Sequence, residues 1–180
     1  MKRSLLILLS AIASLVILVL FLLGNQRATQ RTIVCTTTVI ANTVAQIVGD
    51  AIPLYPLMGP GVDPHLYRPK ESDVHAIDTA YAIIYNGLHL EGKMGEIFQY
   101  LQSEKPTISC ASALRSEQLI SSDFADIYDP HIWHDVSLWI QVVNYLADEL
   151  SLIFPEHAQI FKANAQLYCE KLAALDVKIR

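Results

Sequence analysis

Thr32-Ile33-Val34-Cys35-Thr36-Thr37-Thr38, followed by Val39-Ile40-Ala41-Asn42-Thr43-Val44-Ala45-Gln46-Ile47-Val48, is the stretch whose reading decides the fold. Its first half is β-branched and apolar without alternation, the pattern of a strand buried on both faces and hence of a parallel sheet. Its second half spaces apolar residues helically and stops at Gly49-Asp50, a helix C-terminal signal. The unit repeats along the chain. Ile52 to Met58 reads as a second strand, Pro69-Lys70-Glu71-Ser72-Asp73 opens a short helix through Thr79, and Ala80 to Tyr85 is a third strand. Lys93 to Leu101 has helical spacing, and Pro106 to Cys110 is a short fourth strand. Strand and helix in regular alternation with short links predict an α/β fold, a four-stranded parallel sheet flanked by helices.

The second half of the chain is helical. Ala111 to Tyr128 is irregular and polar, with Ser121-Ser122-Asp123 as turn formers. Val136 through Phe154 reads as a long amphipathic helix with Asp135 as its N-cap, ended by Pro155. From Glu156 the apolar residues Ile160, Phe161, Ala165, Leu167, Tyr168, Leu172, Leu175 and Ile179 describe another helix that is still running at Arg180.

Chemistry enters at the loops between these elements. Gly59-Pro60-Gly61-Val62-Asp63-Pro64-His65 follows the second strand, and Asp129-Pro130-His131 precedes the long helix. In each Asp-Pro-His the proline fixes its own φ and biases the preceding aspartate toward an extended conformation, so the histidine leaves a stiff turn in a defined direction. His65 and His131 are therefore read as two ligands of one transition-metal ion, on loops beyond strand ends, where open α/β sheets bind ligands. The other four histidines carry less signal. His75 and His157 are expected in solvated helical positions, His89 lies near the sheet edge, and His134 beside Asp135 fits a hydrogen-bonded or helix-terminal role. Trp133, Trp139 and Tyr168 fit packing, and the widely spaced Cys35, Cys110 and Cys169 fit unpaired, mostly buried thiols.

Composition narrows the partners. A net charge of -5 with scattered Lys and Arg offers no basic stripe for phosphates, so no nucleic acid is expected. The N-terminus carries Lys2-Arg3 and a nearly unbroken apolar run from Leu5 to Leu23, ended by Gly24-Asn25-Gln26-Arg27. This is the pattern of an export signal or a membrane anchor, with cleavage near Gly24 to Ala28 and retention both open. No cysteine stands at its end to carry a lipid.

These residues resemble the metal-binding receptors of bacterial ABC importers for zinc, manganese or iron, known as solute-binding protein family 9 or cluster A-I. Gly59 to Pro69 with Ser72-Asp73 is similar to that family's first ligand loop, and Asn86-Gly87-Leu88-His89-Leu90-Glu91 to its segment after the third strand. Asp129-Pro130-His131-Ile132-Trp133 is similar to the second ligand loop, and Asn164, Tyr168 and Leu172 to the start of the helix joining the family's two lobes. The resemblance covers about Ile33 to Arg180. It implies a receptor, not an enzyme, that binds a divalent transition metal outside the cytoplasm and delivers it to an ABC importer permease, acting as a monomer. It also implies residues 1–30 as signal or uncleaved anchor, 31–154 as N-terminal metal-binding lobe and 155–180 as the start of the connecting helix. In the family a histidine or glutamate and an aspartate or glutamate from a second lobe complete the site opposite two histidines, matched here by His65 and His131. Those two further ligands are expected outside this chain, which reads as a fragment or a truncated form. The metal is not readable from two imidazoles, although the absence of the His-rich acidic loop of some zinc-selective members leans toward manganese or iron.

Two other readings stand beside this one. An envelope metallohydrolase would use His-bound zinc and a carboxylate from Asp63, Asp129 or Asp135, but the sequence holds no HExxH cluster and no GxSxG elbow. An adhesive module of the cell envelope would rest on the N-terminal segment alone.

Overall fold

A computed structural model describes residues 31–121 and 127–179. The expected signal or anchor in residues 1–30 and the turn formers Ser122-Asp123 lie outside these residues.

Four parallel strands, β1 (Ile33–Cys35), β2 (Leu54–Pro56), β3 (Ala82–Tyr85) and β4 (Thr107–Ser109), lie in the order β2-β1-β3-β4. The five α-helices among the described residues are α1 (Thr38–Val48), α2 (Glu71–Thr79), α3 (Lys93–Leu101), α4 (Val136–Ile153) and α5 (Ala158–Ile179). The sheet is covered on both faces, which is why its strands are apolar without alternation. Ile33, Cys35, Ala82 and Ile84 pack with α1, α4 and α5, the large buried side chains there including Leu146, Phe154 and Phe161. Val34, Ile83 and Tyr85 face the other way, against Leu57, Met58, Met94 and Phe98 and the partly buried Ala76, Ile77 and Leu101.

The predicted α/β architecture is the observed one, with strands shorter than the apolar runs. Thr37 leaves the strand because its side chain caps α1, accepting from the Ile40 amide at 3.3 Å. Along β2 the ladder runs further than the strand itself, since Ile33 donates to the Pro53 carbonyl at 3.0 Å, Leu57 to Cys35 at 2.9 Å and Met58 to Thr36 at 3.0 Å. Pro53 and Pro56 lack amides to donate, which suits β2 to the sheet edge it occupies. Asp135 caps α4 as expected, its Oδ1 accepting from the amides of Ser137 at 2.8 Å and Leu138 at 3.3 Å. The last helix begins later than the periodicity implies, because Pro155–His157 forms a 3-10 turn before α5. At the amino end of the sheet the Arg31 guanidinium lies over the rings of Tyr81 and Phe154 and is paired with Glu156, fastening β1 to the start of the α5 region.

The strand order places the chemistry. β1 leads through α1 to β2 on one side, whereas β3 lies on the other side of β1, so the winding direction reverses between β1 and β3. In doubly wound sheets that reversal opens a crevice at the carboxyl ends of the strands. The segments that follow β1, β2, β3 and β4 all begin at that end.

Candidate metal centre

His65 and His131 meet although 66 residues separate them. Their Nε2 atoms are 3.4 Å apart, and the rings are tilted by 59°. The two Asp-Pro-His turns are built alike: Asp63 Oδ1 accepts from the His65 amide at 2.9 Å, and Asp129 Oδ1 accepts from the His131 amide at 2.9 Å. Each aspartate thus closes an Asx turn around its proline and sets where the histidine leaves the backbone. Beyond this the two loops differ. Asp129 Oδ1 also lies 2.6 Å from His131 Nδ1, so the neutral ring carries its proton on Nδ1 and presents the Nε2 lone pair to His65. The His131 backbone N–H, then its ring N–H, hold the Asp129 carboxyl below the usual carboxylate range.

The His65 loop is pinned by Tyr67. Its hydroxyl lies 2.5 Å from Asp73 Oδ2 at the start of α2 and 3.1 Å from the Leu57 carbonyl just beyond β2. Desolvation, reinforced by the Asp73 carboxylate, pushes the Tyr67 hydroxyl up to about 12. Asp73 also accepts from the Lys70 amide at 2.7 Å, closing the loop onto its helix. The His131 loop is bounded on one side by Trp133, whose ring meets that of His131 edge-on with centroids 5.3 Å apart.

Behind the histidines lies a buried polar cluster that the periodicity does not announce. Glu91, 2% exposed, accepts from Thr36 Oγ1 at the end of β1 at 2.8 Å. It also accepts from the amides of Asn86 at 2.6 Å and Gly87 at 3.3 Å, at the end of β3. Burial raises the Glu91 carboxyl above its ordinary value despite these donors. The turn that carries it is left-handed over three successive residues, with φ of 84° at Gly87, 51° at Leu88 and 64° at His89. Such backbone is costly for residues other than glycine. It is retained here by Leu90, which is fully buried, and by the Glu91 carboxylate. A β-carbon at Gly87 would come 2.3 Å from Ser109 Oγ, so glycine is required there for space as well as for φ.

Of the other histidines, His134 sits on the 3-10 turn Ile132–His134 with its ring centroid 6.2 Å from that of His131. Asp135, its neighbour, caps α4. His89 is in the left-handed turn, and His157 stacks near Phe161 at 5.6 Å. Among the described residues no group of three or more His, Cys, Asp or Glu side chains is placed to hold a metal ion. Cys35 and Cys110 are buried free thiols, Cys169 is half-buried, and burial raises all three. The sequence signal that pointed to the imidazole pair was the repeated tripeptide. The link from Asp129 to its ring was available in the same three letters but shows only once the turn is built.

Two converging imidazoles at the reversal point of a doubly wound parallel sheet define a ligand-binding α/β domain with an open, nitrogen-lined site. Comparison with known proteins places it more closely. The family described as ZnuA, zinc-uptake complex component A, periplasmic, matches residues 33–180, and the chain belongs to that family. The manganese-binding lipoprotein MntA of Bacillus subtilis is 37% identical over 153 residues, covering 85% of this chain and 50% of MntA. The zinc-binding protein TroA of Treponema pallidum is 38% identical over 148 residues, covering 82% of this chain and 48% of TroA. Among solved structures, periplasmic TroA from Treponema pallidum superposes with a TM-score of 0.80 at 37% identity over 84% of this chain and 54% of that one. Zn(II)-bound AdcA from Streptococcus pneumoniae does so with a TM-score of 0.73 at 27% identity over 83% and 32%. The chain spans about half the length of the curated relatives it matches. Relatives carry zinc, manganese and iron in their names, and the family is one of substrate-binding receptors rather than enzymes.

Proposed function

We propose that this chain captures a divalent transition metal, zinc, manganese or iron, between His65 and His131, as the N-terminal metal-binding lobe of an extracytoplasmic receptor for an ABC importer. The carrying observation is the 3.4 Å between the two Nε2 atoms. Two nitrogens bound at about 2.0–2.1 Å to one tetrahedral zinc lie about 3.3–3.4 Å apart, so both lone pairs reach one ion without rearrangement. Asp129 completes the carboxylate–imidazole–metal arrangement that fixes a ligand's tautomer and raises its basicity. The ion is cargo. An open pair of imidazoles leaves its other positions to water or to donors from outside these residues, which suits reversible capture and release.

In this reading residues 31–154 form the lobe and 155–180 begin the helix leading out of it. Residues 1–30 export the protein, either as a signal cleaved near Gly24 to Ala28 or as an anchor that holds it at the outer face of the membrane. The partner is the importer's permease, and the receptor acts as a monomer. Calorimetric titration of the full chain with Zn2+, Mn2+ or Co2+ is the test. Stoichiometric binding with no turnover of ester or phosphate substrates is expected; absence of binding, or hydrolysis on adding zinc, would sink the proposal.

The two aspartates separate by experiment. Asp129→Ala is expected to weaken zinc binding by about 10- to 100-fold, the range for removing the carboxylate that orients a ligating histidine. Asp63→Ala should cost less, because Asp63 holds only the His65 amide. Equal losses, measured by competition with a chromophoric chelator, would refute the assigned difference.

A further inference from the structure

Asn86, at the end of β3, reaches across to the turn carrying His131. Its side chain is fully buried at the end of β3. Nδ2 donates to the Gly87 carbonyl at 3.1 Å and to the Pro130 carbonyl, 44 residues away, at 2.9 Å. Both neighbours are carbonyl oxygens, so only the amide's NH2 can face them. Its own backbone is held on every side: the amide donates to Glu91, and the carbonyl accepts from the Ala111 amide at 3.0 Å and from Ser109 Oγ at 3.3 Å.

The Pro130 carbonyl has a second donor, the Ile132 amide at 2.9 Å. That contact spans His131, whose φ of -83° and ψ of 46° are those of the central residue of an inverse γ-turn. The carbonyl that Asn86 grips is therefore the one on which the turn around His131 closes. At the other end of the same segment, a β-carbon at Gly92 would lie 3.4 Å from the His65 carbonyl, so the Asn86–Gly92 turn adjoins both histidine loops. Asn86 Oδ1, meanwhile, is buried with no hydrogen-bond partner among the described residues. An unpaired buried acceptor destabilises a fold, so stability alone does not explain an amide here, whereas a donor aimed at Pro130 does.

We propose that Asn86 is a positioning residue for metal capture: by holding the Pro130 carbonyl on the rigid end of β3, it sets the backbone of His131 and so the spacing of the two Nε2 atoms. The proposal rests on the metal-capture reading, and its test has an arm that needs no metal. In the full chain with labelled histidines, solubilised in mild detergent, a nuclear Overhauser cross-peak between the ring protons of His65 and His131 reports their approach in metal-free protein. Zinc affinity and the ligand-field bands of bound Co2+ report the site when loaded.

Asn86→Leu, which keeps the bulk and removes the donor, is expected to lose the cross-peak, weaken zinc about 10- to 100-fold and change the Co2+ bands. Asn86→Ser, which gives up the reach to Pro130, should do the same and guards against misfolding of the first variant. Leu146→Ala, a core change on α4, should lower Tm while leaving cross-peak, affinity and spectrum as in the wild type. An Asn86 variant that folds and retains the wild-type cross-peak and zinc affinity would overturn the proposal, and so would failure of both Asn86 variants to fold, which would assign the residue to stability. If the wild type shows the cross-peak and the Asn86 variants lose it while no form binds metal, positioning stands and the metal reading fails. If the wild type shows neither cross-peak nor zinc binding, both fall.

Discussion

Replacing His131 with alanine is expected to lower zinc affinity by about a hundredfold or more. A four-ligand structural zinc site is worth about 10–16 kcal/mol, so each ligand carries about 3 kcal/mol, and 1.4 kcal/mol is a factor of ten. With only two imidazoles converging, removal of one leaves a single nitrogen and no chelate, so loss of detectable binding is the expected reading. His65→Ala should produce the same loss but leave the Asp129–His131 pair intact. His131→Ala additionally removes the ring donor to Asp129 but keeps the backbone N–H, the larger cause of the lowered carboxyl, so the Asp129 pKa should rise only part of the way toward the ordinary carboxylate range, visible in the carboxyl 13C shift. Both histidines are exposed, so thermal stability of the metal-free protein should change by no more than about 0.5 kcal/mol. That separation is what makes the test sharp. Unchanged affinity in both variants, with native circular dichroism, would rule out the pair as ligands. Because imidazole must be neutral to bind a metal, wild-type affinity should also fall on acidification.

The fold was legible because its strands are buried on both faces and its helices are not. Runs such as Ile33-Val34-Cys35 and Ala82-Ile83-Ile84-Tyr85 advertise a doubly covered sheet, and the 3.6-residue spacing of α1 and α4 separates them cleanly from the strands. What misled at the boundaries was local chemistry that outcompetes β propensity: Thr37 is worth more as the cap of α1 than as a further strand residue. The imidazole pair was legible for a different reason, since a proline-stiffened tripeptide repeated at two strand ends is a local signal. Its supports are not local. Glu91 reaches Thr36 across 55 residues and Asn86 reaches Pro130 across 44, and neither periodicity nor spacing encodes such distances. A charged residue two positions beyond a left-handed turn looks like surface; only the closed sheet reveals that it is buried at the junction of β1 and β3.

That burial gives Glu91 a large share in stability outside the apolar core. Glu91→Ala would leave the Thr36 hydroxyl and the Asn86 and Gly87 amides without their acceptor in a buried site. At about 1–3 kcal/mol for each unsatisfied buried group, and with partial rescue by entering water, the loss should be about 3–5 kcal/mol. For a domain of this size that is about 10–15 °C in Tm. The left-handed turn over Gly87, Leu88 and His89 loses the carboxylate that holds it, so zinc affinity should fall along with stability.

Glu91→Gln separates charge from hydrogen bonding. The folded carboxyl lies above its unfolded value, chiefly through burial. The folded protein therefore keeps a proton that the unfolded chain releases, and this contribution to stability is fully present below the unfolded carboxyl value and is lost as pH rises through the folded one. A glutamine has no such dependence, so the wild type's advantage over Glu91→Gln in urea denaturation should be largest near pH 4 and shrink as pH rises through that window. An advantage that grows with pH would mean that the three donors outweigh burial, and that the junction of β1 and β3 is built to hold a carboxylate anion.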